Sequence, residues 1–227
     1  MKSDKAMINL CGILSRFNYL IIAGIVFYIL ILFSVNNSIM APDKKSIDKF
    51  RKFCMKIDSL QFFQKSGKAE IILFGSSYVE HLFRRPEIRS KVWNPLLKPL
   101  HAFNLGMGGD NMFQTRERVC FTPLEKKYHK NLRCVIIHTG SNDVRTCKSP
   151  EIVAEKIILC ASEITVCNPH VHVVISALLP RVHPKRNLRL GRNENELISV
   201  INHELRQYCI LSPFTFMENW DQVHPGY

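Results

Sequence analysis

The 227-residue sequence has no C-x-x-C pair and no closely spaced Cys/His quartet, which argues against a zinc module. Collagen-like, Gly/Ser and Gln/Asn tracts are absent, as is any repeat period. With 10 glycines and 11 prolines, close to ordinary usage, the fibrous, repeat and wholly disordered classes drop out. Acidic residues are scarce: 19 Asp and Glu face 31 Lys and Arg, a net charge of +12. That excess would serve nucleic acid, anionic lipid or membrane topology equally well, so charge alone does not choose among them. The 46% hydrophobic and 22% charged residues fit one compact domain with an appendage, and the chain is too short for two full catalytic domains. Eight cysteines (Cys11, Cys54, Cys120, Cys134, Cys147, Cys160, Cys167 and Cys209) are scattered rather than framed as a small disulfide scaffold. Cys134 and Cys160 lie inside apolar runs, where a reduced cysteine behaves as a small core hydrophobe.

Residues 17–35 (FNYLIIAGIVFYILILFSV) carry no charge and approach the ~20 residues needed to cross a bilayer core. They are expected to form a single transmembrane anchor behind a short tail, residues 1–16. A cleaved signal peptide is the alternative, because Lys2, Lys5 and Arg16 precede the run, but no A-x-A-like site follows it. Lys44, Lys45, Lys49, Arg51 and Lys52 lie just beyond the run, so the positive-inside rule leans to a cytosolic C-terminal domain. The short N-terminal tail argues the other way. Residues 36–66 are expected to be a basic, partly helical linker, and residues 67–227 a folded domain.

In that domain short apolar runs alternate with longer amphipathic ones, the grammar of an α/β fold. Strands are predicted over residues 70–74, 101–105, 133–138, 172–176 and 214–217, enough for a small parallel sheet. Ser149 is a predicted N-cap before Pro150, with Ile152, Val153, Ile157, Cys160, Ala161 and Ile164 on one helical face. Asn193 is a predicted cap for a helix whose stripe is Leu197, Ile201, Leu205 and Tyr208.

Ligands bind beyond the carboxyl ends of the strands in such sheets, so the residues that follow each strand carry the functional information. These are Gly75-Ser76-Ser77-Tyr78, Gly106-Met107-Gly108-Gly109-Asp110, Thr139-Gly140-Ser141-Asn142-Asp143 and Asp221-Gln222-Val223-His224. Each alone is weak: a turn, a tight connection, a polar corner, half a metal site. The glycine spacing does not match G-x-G-x-x-G, which speaks against a dinucleotide site. Together they gather small residues, a serine, an amide and an Asp/His pair at one sheet edge.

In that combination the chain resembles the SGNH (GDSL-like) hydrolases, whose sequence blocks carry Ser, Gly, Asn and His in this order. Within them it is most similar to the catalytic subunits of platelet-activating factor acetylhydrolase Ib, through PLHAFNLGMGGDN (99–111), HTGSND (138–143) and SALLPR (176–181). The resemblance implies a flavodoxin-like three-layer sandwich with a mainly parallel five-stranded sheet, and a serine esterase that uses no cofactor and no metal. It implies Ser77 as nucleophile, His224 as general base and Asp221 as its orienting carboxylate. Oxyanion donors would be the backbone N–H of Ser77, the backbone N–H of Gly109 and the side chain of Asn142. Short acyl esters, such as acetyl groups on a lipid or carbohydrate, are the implied substrates, and self-association into a homodimer is open.

Three departures from the family pattern stand out. Ser76 replaces the usual Asp before the nucleophile, only Glu218-Asn219-Trp220 separates the last strand from Asp221, and the chain stops at Tyr227 where the family continues into a closing helix. These keep a second class open, a catalytically inactive SGNH-like binding domain. A third class, nucleic-acid binding, rests on Arg181, His183, Lys185, Arg186, Arg189 and Arg192; no aromatic interleaving supports base stacking there, and no nucleic acid partner is expected.

Overall fold

The structure, a computed structural model, describes residues 44–65, 69–122, 124 and 130–218. The expected anchor at residues 17–35 and the Asp221–His224 pair lie outside these residues; among the described ones, no helix is long and apolar enough to cross a membrane. The chain divides into two compact units, Met1–Asp48 and Lys49–Tyr227. Of the first, the described part is the opening turn of helix α1 (Lys44–Lys65).

The second unit is built on five parallel strands: β1 (Ile71–Gly75), β2 (Ala102–Asn104), β3 (Cys134–His138), β4 (His172–Ser176) and β5 (Thr215–Met217). Their spatial order is β2-β1-β3-β4-β5, the flavodoxin-like arrangement, in which the order reverses at β1. All four pairings are parallel, with Ile71 facing Ala102 on one side and Cys134 on the other. The strands agree with the expected ones to within one or two residues at each end, because each is a short apolar run closed by small or polar residues.

Side chains alternate between the two faces of the sheet at the strand period of two. Ile72, Phe74, Val135, Ile137, Val173 and Ile175 enter the larger core. That core also takes residues from α1, from α3 (Met112–Phe121), from α4 (Pro150–Cys167) and from α5 (Glu194–Ile210). The opposite face, with Leu73, Ile71 and Ile136, packs against Val79 of α2 (Ser77–Arg84) and Trp93 of a π-helical segment, Arg89–Leu97. Cys134 lies on this thinner side and is half-buried, whereas Cys160 is fully buried in α4 as expected.

Helix starts follow the cap chemistry. Ser149 accepts the N–H of Ile152, Asn193 that of Asn195, and Asn111 forms a reciprocal capping box with Gln114 at the start of α3. Two stripe residues depart from expectation. Ile152 is exposed because it falls in line with Lys156 and Leu159, 100° round the helix from the buried Val153 row. Tyr208 is exposed because Cys209, four residues after Leu205, continues the stripe instead; the Tyr208 ring stacks on Phe214 with centroids 6.1 Å apart.

From Lys49 onward the residues expected to be a linker contribute to the core. Phe53 and Leu60 are fully buried, and the Arg118 guanidinium lies 4.8 Å from the centre of the Phe53 ring. Removing a buried phenyl ring from a well-packed core typically costs about 3–5 kcal/mol. Phe53→Ala is therefore expected to lower the urea midpoint of the domain by an amount equivalent to several kcal/mol. A shift worth less than about 1 kcal/mol, within the range of ordinary surface changes, would make α1 a mere tether.

Candidate active site

β1 lies between β2 and β3, so the loops leaving the carboxyl ends of these three strands meet. The closest approach is at Gly75, where a Cβ would stand 2.2 Å from the His138 carbonyl oxygen and 2.5 Å from Val79 Cγ2. Only a residue without a side chain lets β1 turn into α2 here. Ser76 follows as the N-terminal flank of α2. It is buried, and its hydroxyl makes neither a capping bond nor any other hydrogen bond. Ser77 is the first helical residue and is half-buried. At that position the backbone N–H has no intrahelical acceptor, and the positive end of the helix dipole favours developing negative charge.

The glycine loop is tied to β1 through Met107 N–H, which donates to the Gly75 carbonyl at 2.9 Å. Gly109 is exposed with φ of 76°, a left-handed conformation that glycine adopts without strain. Next to it Asp110 is wholly buried, bridged by Arg118 from α3, with Nη2 3.2 Å from Oδ1, and approached by Lys49 Nζ at 3.3 Å. Its carbonyl accepts the Asn142 side-chain amide at 2.8 Å. The amide nitrogen carries two hydrogens, so this bond orients Asn142 and leaves one N–H to donate elsewhere. Asp143 caps α3 by accepting the Met112 N–H at 2.9 Å, and burial raises its carboxyl pKa despite that bond.

Behind these loops sits a group that its sequence context does not mark. His138, last residue of β3, is buried, with Nδ1 3.1 Å from Ser176 Oγ and Nε2 without a hydrogen-bond partner. The Tyr78 ring meets it edge to face at 5.4 Å. Burial pushes its pKa down to about 4, against a hydrogen bond to the Ala177 backbone that pulls the other way. Glu80 and Arg118 were also not singled out from sequence. The signal for Glu80 was its place three residues after Ser77, on the first turn of α2.

Arg181, from the basic run, is turned inward: its Nη2 donates to the Ser141 carbonyl at 2.5 Å and its Nε lies 3.3 Å from the buried Glu194. This residue braces the asparagine loop. The structure therefore draws Ser77, Gly109 and Asn142 to the ends of three adjacent strands, while Asp221 and His224 are not among the described residues. A shallow cavity lined by Thr165, Pro169, His170, His172 and Phe214 lies at the other, amino end of β4, away from these loops.

Small residues, a helix-opening serine and an oriented amide thus lie at the switch point of a flavodoxin-like parallel sheet. No family model matches the chain. Among curated proteins it is 29% identical over 135 residues to the alpha1 subunit of platelet-activating factor acetylhydrolase IB from Rattus norvegicus, covering 59% of this chain and 54% of that one. It is 30% identical over 100 residues to the beta-subunit homolog from Drosophila melanogaster, covering 44% of this chain and 42% of that one. The chain thus spans about half the length of these relatives. Among solved structures, a GDSL-like lipase from Bacteroides thetaiotaomicron superposes with a TM-score of 0.53 at 16% identity, over 71% of this chain and 73% of that one, a likeness of fold. In sequence the chain is thus similar to platelet-activating factor acetylhydrolase subunits, and in fold to a GDSL-like lipase.

His138 generates a pH prediction. Folded, it stays neutral down to about pH 4; unfolded, it titrates near its ordinary 6.5. The unfolded chain thus binds more protons between these values, and the contribution of neutral His138 to stability, complete above pH 6.5, is lost as pH falls toward 4. Wild type is expected to lose about 3 kcal/mol more than His138→Phe between pH 7 and pH 4, measured by denaturant unfolding at each pH. Parallel pH curves for the two proteins would show that His138 does not titrate in this way.

Proposed function

We propose that the domain is a serine ester hydrolase of the SGNH type, acting through an acyl-enzyme on short, acetyl-like esters of a lipid or carbohydrate. The observation that carries the proposal is the convergence of Ser77 at the opening of α2 with the Gly109 and Asn142 loops at the switch point of the sheet. The likeness to acetylhydrolase subunits and to a GDSL-like lipase supports hydrolase chemistry in general.

In the proposed reaction, Ser77 Oγ attacks the ester carbonyl while His224 takes its proton, and Asp221 holds the imidazole tautomer and stabilises the imidazolium. The oxyanion accepts from the N–H of Ser77, the N–H of Gly109 and the second amide N–H of Asn142. The tetrahedral adduct collapses as His224 returns the proton to the departing alcohol. Water, deprotonated by the same imidazole, then releases the acid and restores Ser77. No metal or cofactor enters these steps. Residues 17–35 would hold the enzyme on a membrane, with the domain on the cytosolic side by the positive-inside rule.

A second reading, an inactive relative that binds rather than hydrolyses, is favoured by one observation. Ser76 stands where the family has a carboxylate, and its buried hydroxyl finds no partner.

A fluorophosphonate probe separates the two, since it reacts only with an activated serine. Labelling is expected at Ser77, to vanish in Ser77→Ala, to fall strongly in His224→Ala and to persist in Ser76→Ala. A folded protein that does not label leaves the binding reading in its place. Asn142→Ala is expected to lower kcat by about 10² to 10³ with little change in KM, the loss typical of one oxyanion donor. A large rise in KM with kcat intact would make Asn142 a substrate-binding group. Removing residues 1–42 is expected to move the protein from carbonate-washed membranes to the soluble fraction, and a full-length, N-terminally intact protein that is already soluble would refute the anchor.

A further inference from the structure

Three lysines of α1, Lys49, Lys52 and Lys56, recur at spacings of three and four and so share one face of the helix. All three end on the glycine loop or on the group that supports it. Lys49 reaches Asp110, Lys52 is bonded to Glu80, and Lys56 Nζ donates to the Gly106 carbonyl at 2.6 Å. Glu80 is only 5% exposed, and a carboxylate buried to that degree must be paired. One oxygen takes Lys52; the other accepts the N–H of Gly108 at 3.1 Å and has Arg84 3.6 Å away. The fit is close, since a Cβ on Gly108 would lie 2.4 Å from that oxygen. Burial opposes ionisation of Glu80, but Lys52, Lys56 and Arg84 outweigh it and hold its pKa below the usual value.

We propose that Glu80, charge-balanced by Lys52, is a positioning residue that fixes Gly108 and thereby aims the N–H of Gly109 at the reacting carbonyl, making α1 part of the catalytic apparatus. This rests on the hydrolase reading above. The pairing matters as much as the bond. A bare carboxylate one residue behind an oxyanion donor would repel the charge that forms there, and the Lys52 ammonium cancels it. Loss of Lys52 alone should then be worse than loss of both partners.

The test uses the full chain in detergent, with p-nitrophenyl acetate turnover, thermal unfolding, and hydrogen exchange of the segment spanning residues 106–110. Glu80→Gln keeps the side-chain shape, and Lys52→Arg keeps the charge. Glu80→Gln and Lys52→Met are each expected to lower kcat about tenfold with KM within about twofold, as displaced catalytic groups do. Lys52→Arg should restore most of the rate, and Lys52→Met combined with Glu80→Gln should be faster than Lys52→Met alone. Exchange in the segment should accelerate about tenfold in Glu80→Gln, the signature of a loosened loop. Unchanged kcat and exchange in Glu80→Gln would overturn the proposal, as would a fall in kcat that follows thermal stability while exchange stays put. A wild type that neither turns over ester nor labels at Ser77, but whose loop exchange responds as described, would sink the hydrolase reading and leave the Lys52–Glu80 support of the loop standing.

Discussion

Strand β1 ends against the backbone of His138 so closely that Gly75 has no room for a Cβ. That contact sets where the chain can turn into α2 and therefore where Ser77 begins the helix. β2 pairs along the opposite edge of β1, so the glycine loop and the asparagine loop arrive on either side of the same turn. The hydrogen bond from Asn142 to the Asp110 carbonyl then joins the two flanking loops directly. A parallel sheet with its order reversed at β1 brings these three loops together at the switch point, and an order that did not set β1 between β2 and β3 would part them.

Burial of charge supports this edge from behind. Asp110 and Glu80 are carboxylates almost wholly removed from water, a state that is costly unless each meets cations and N–H donors. Asp110 has Arg118 and Lys49; Glu80 has Lys52, Arg84 and the Gly108 amide. Part of the basic excess is thus used inside the domain. Arg181 does the same on the far side, where it spans the Ser141 carbonyl and Glu194. Asn202 completes the frame by closing both the N–H and the carbonyl of Leu178 after β4.

The edge also carries polar groups with no partner: the hydroxyls of Ser76 and Ser141 and Nε2 of His138. Buried atoms of this kind cost stability and in native proteins tend to gather where function is built. Here they lie in or next to the loops of the candidate site, at the ends of β1 and β3.

Strand positions were legible in the sequence because each is a short apolar run closed by small or polar residues, and the helix starts because Ser149 and Asn193 are strong caps. Ser77, Gly109 and Asn142 were legible as residues that follow strands, since position after a strand is a local property. Local pattern did not reveal the role of α1. Its lysines look like a solvated, membrane-proximal face, and only packing of Phe53 and Leu60 into the core turns them onto Glu80, Asp110 and Gly106. Nor could helical spacing choose between Tyr208 and Cys209, because rows one residue apart differ by 100° and the neighbouring elements decide which row is covered. Local chemistry determined the elements and the small residues at their ends, whereas the pairings across the sheet, made between residues far apart in the chain, decided which charges are buried and which loops meet.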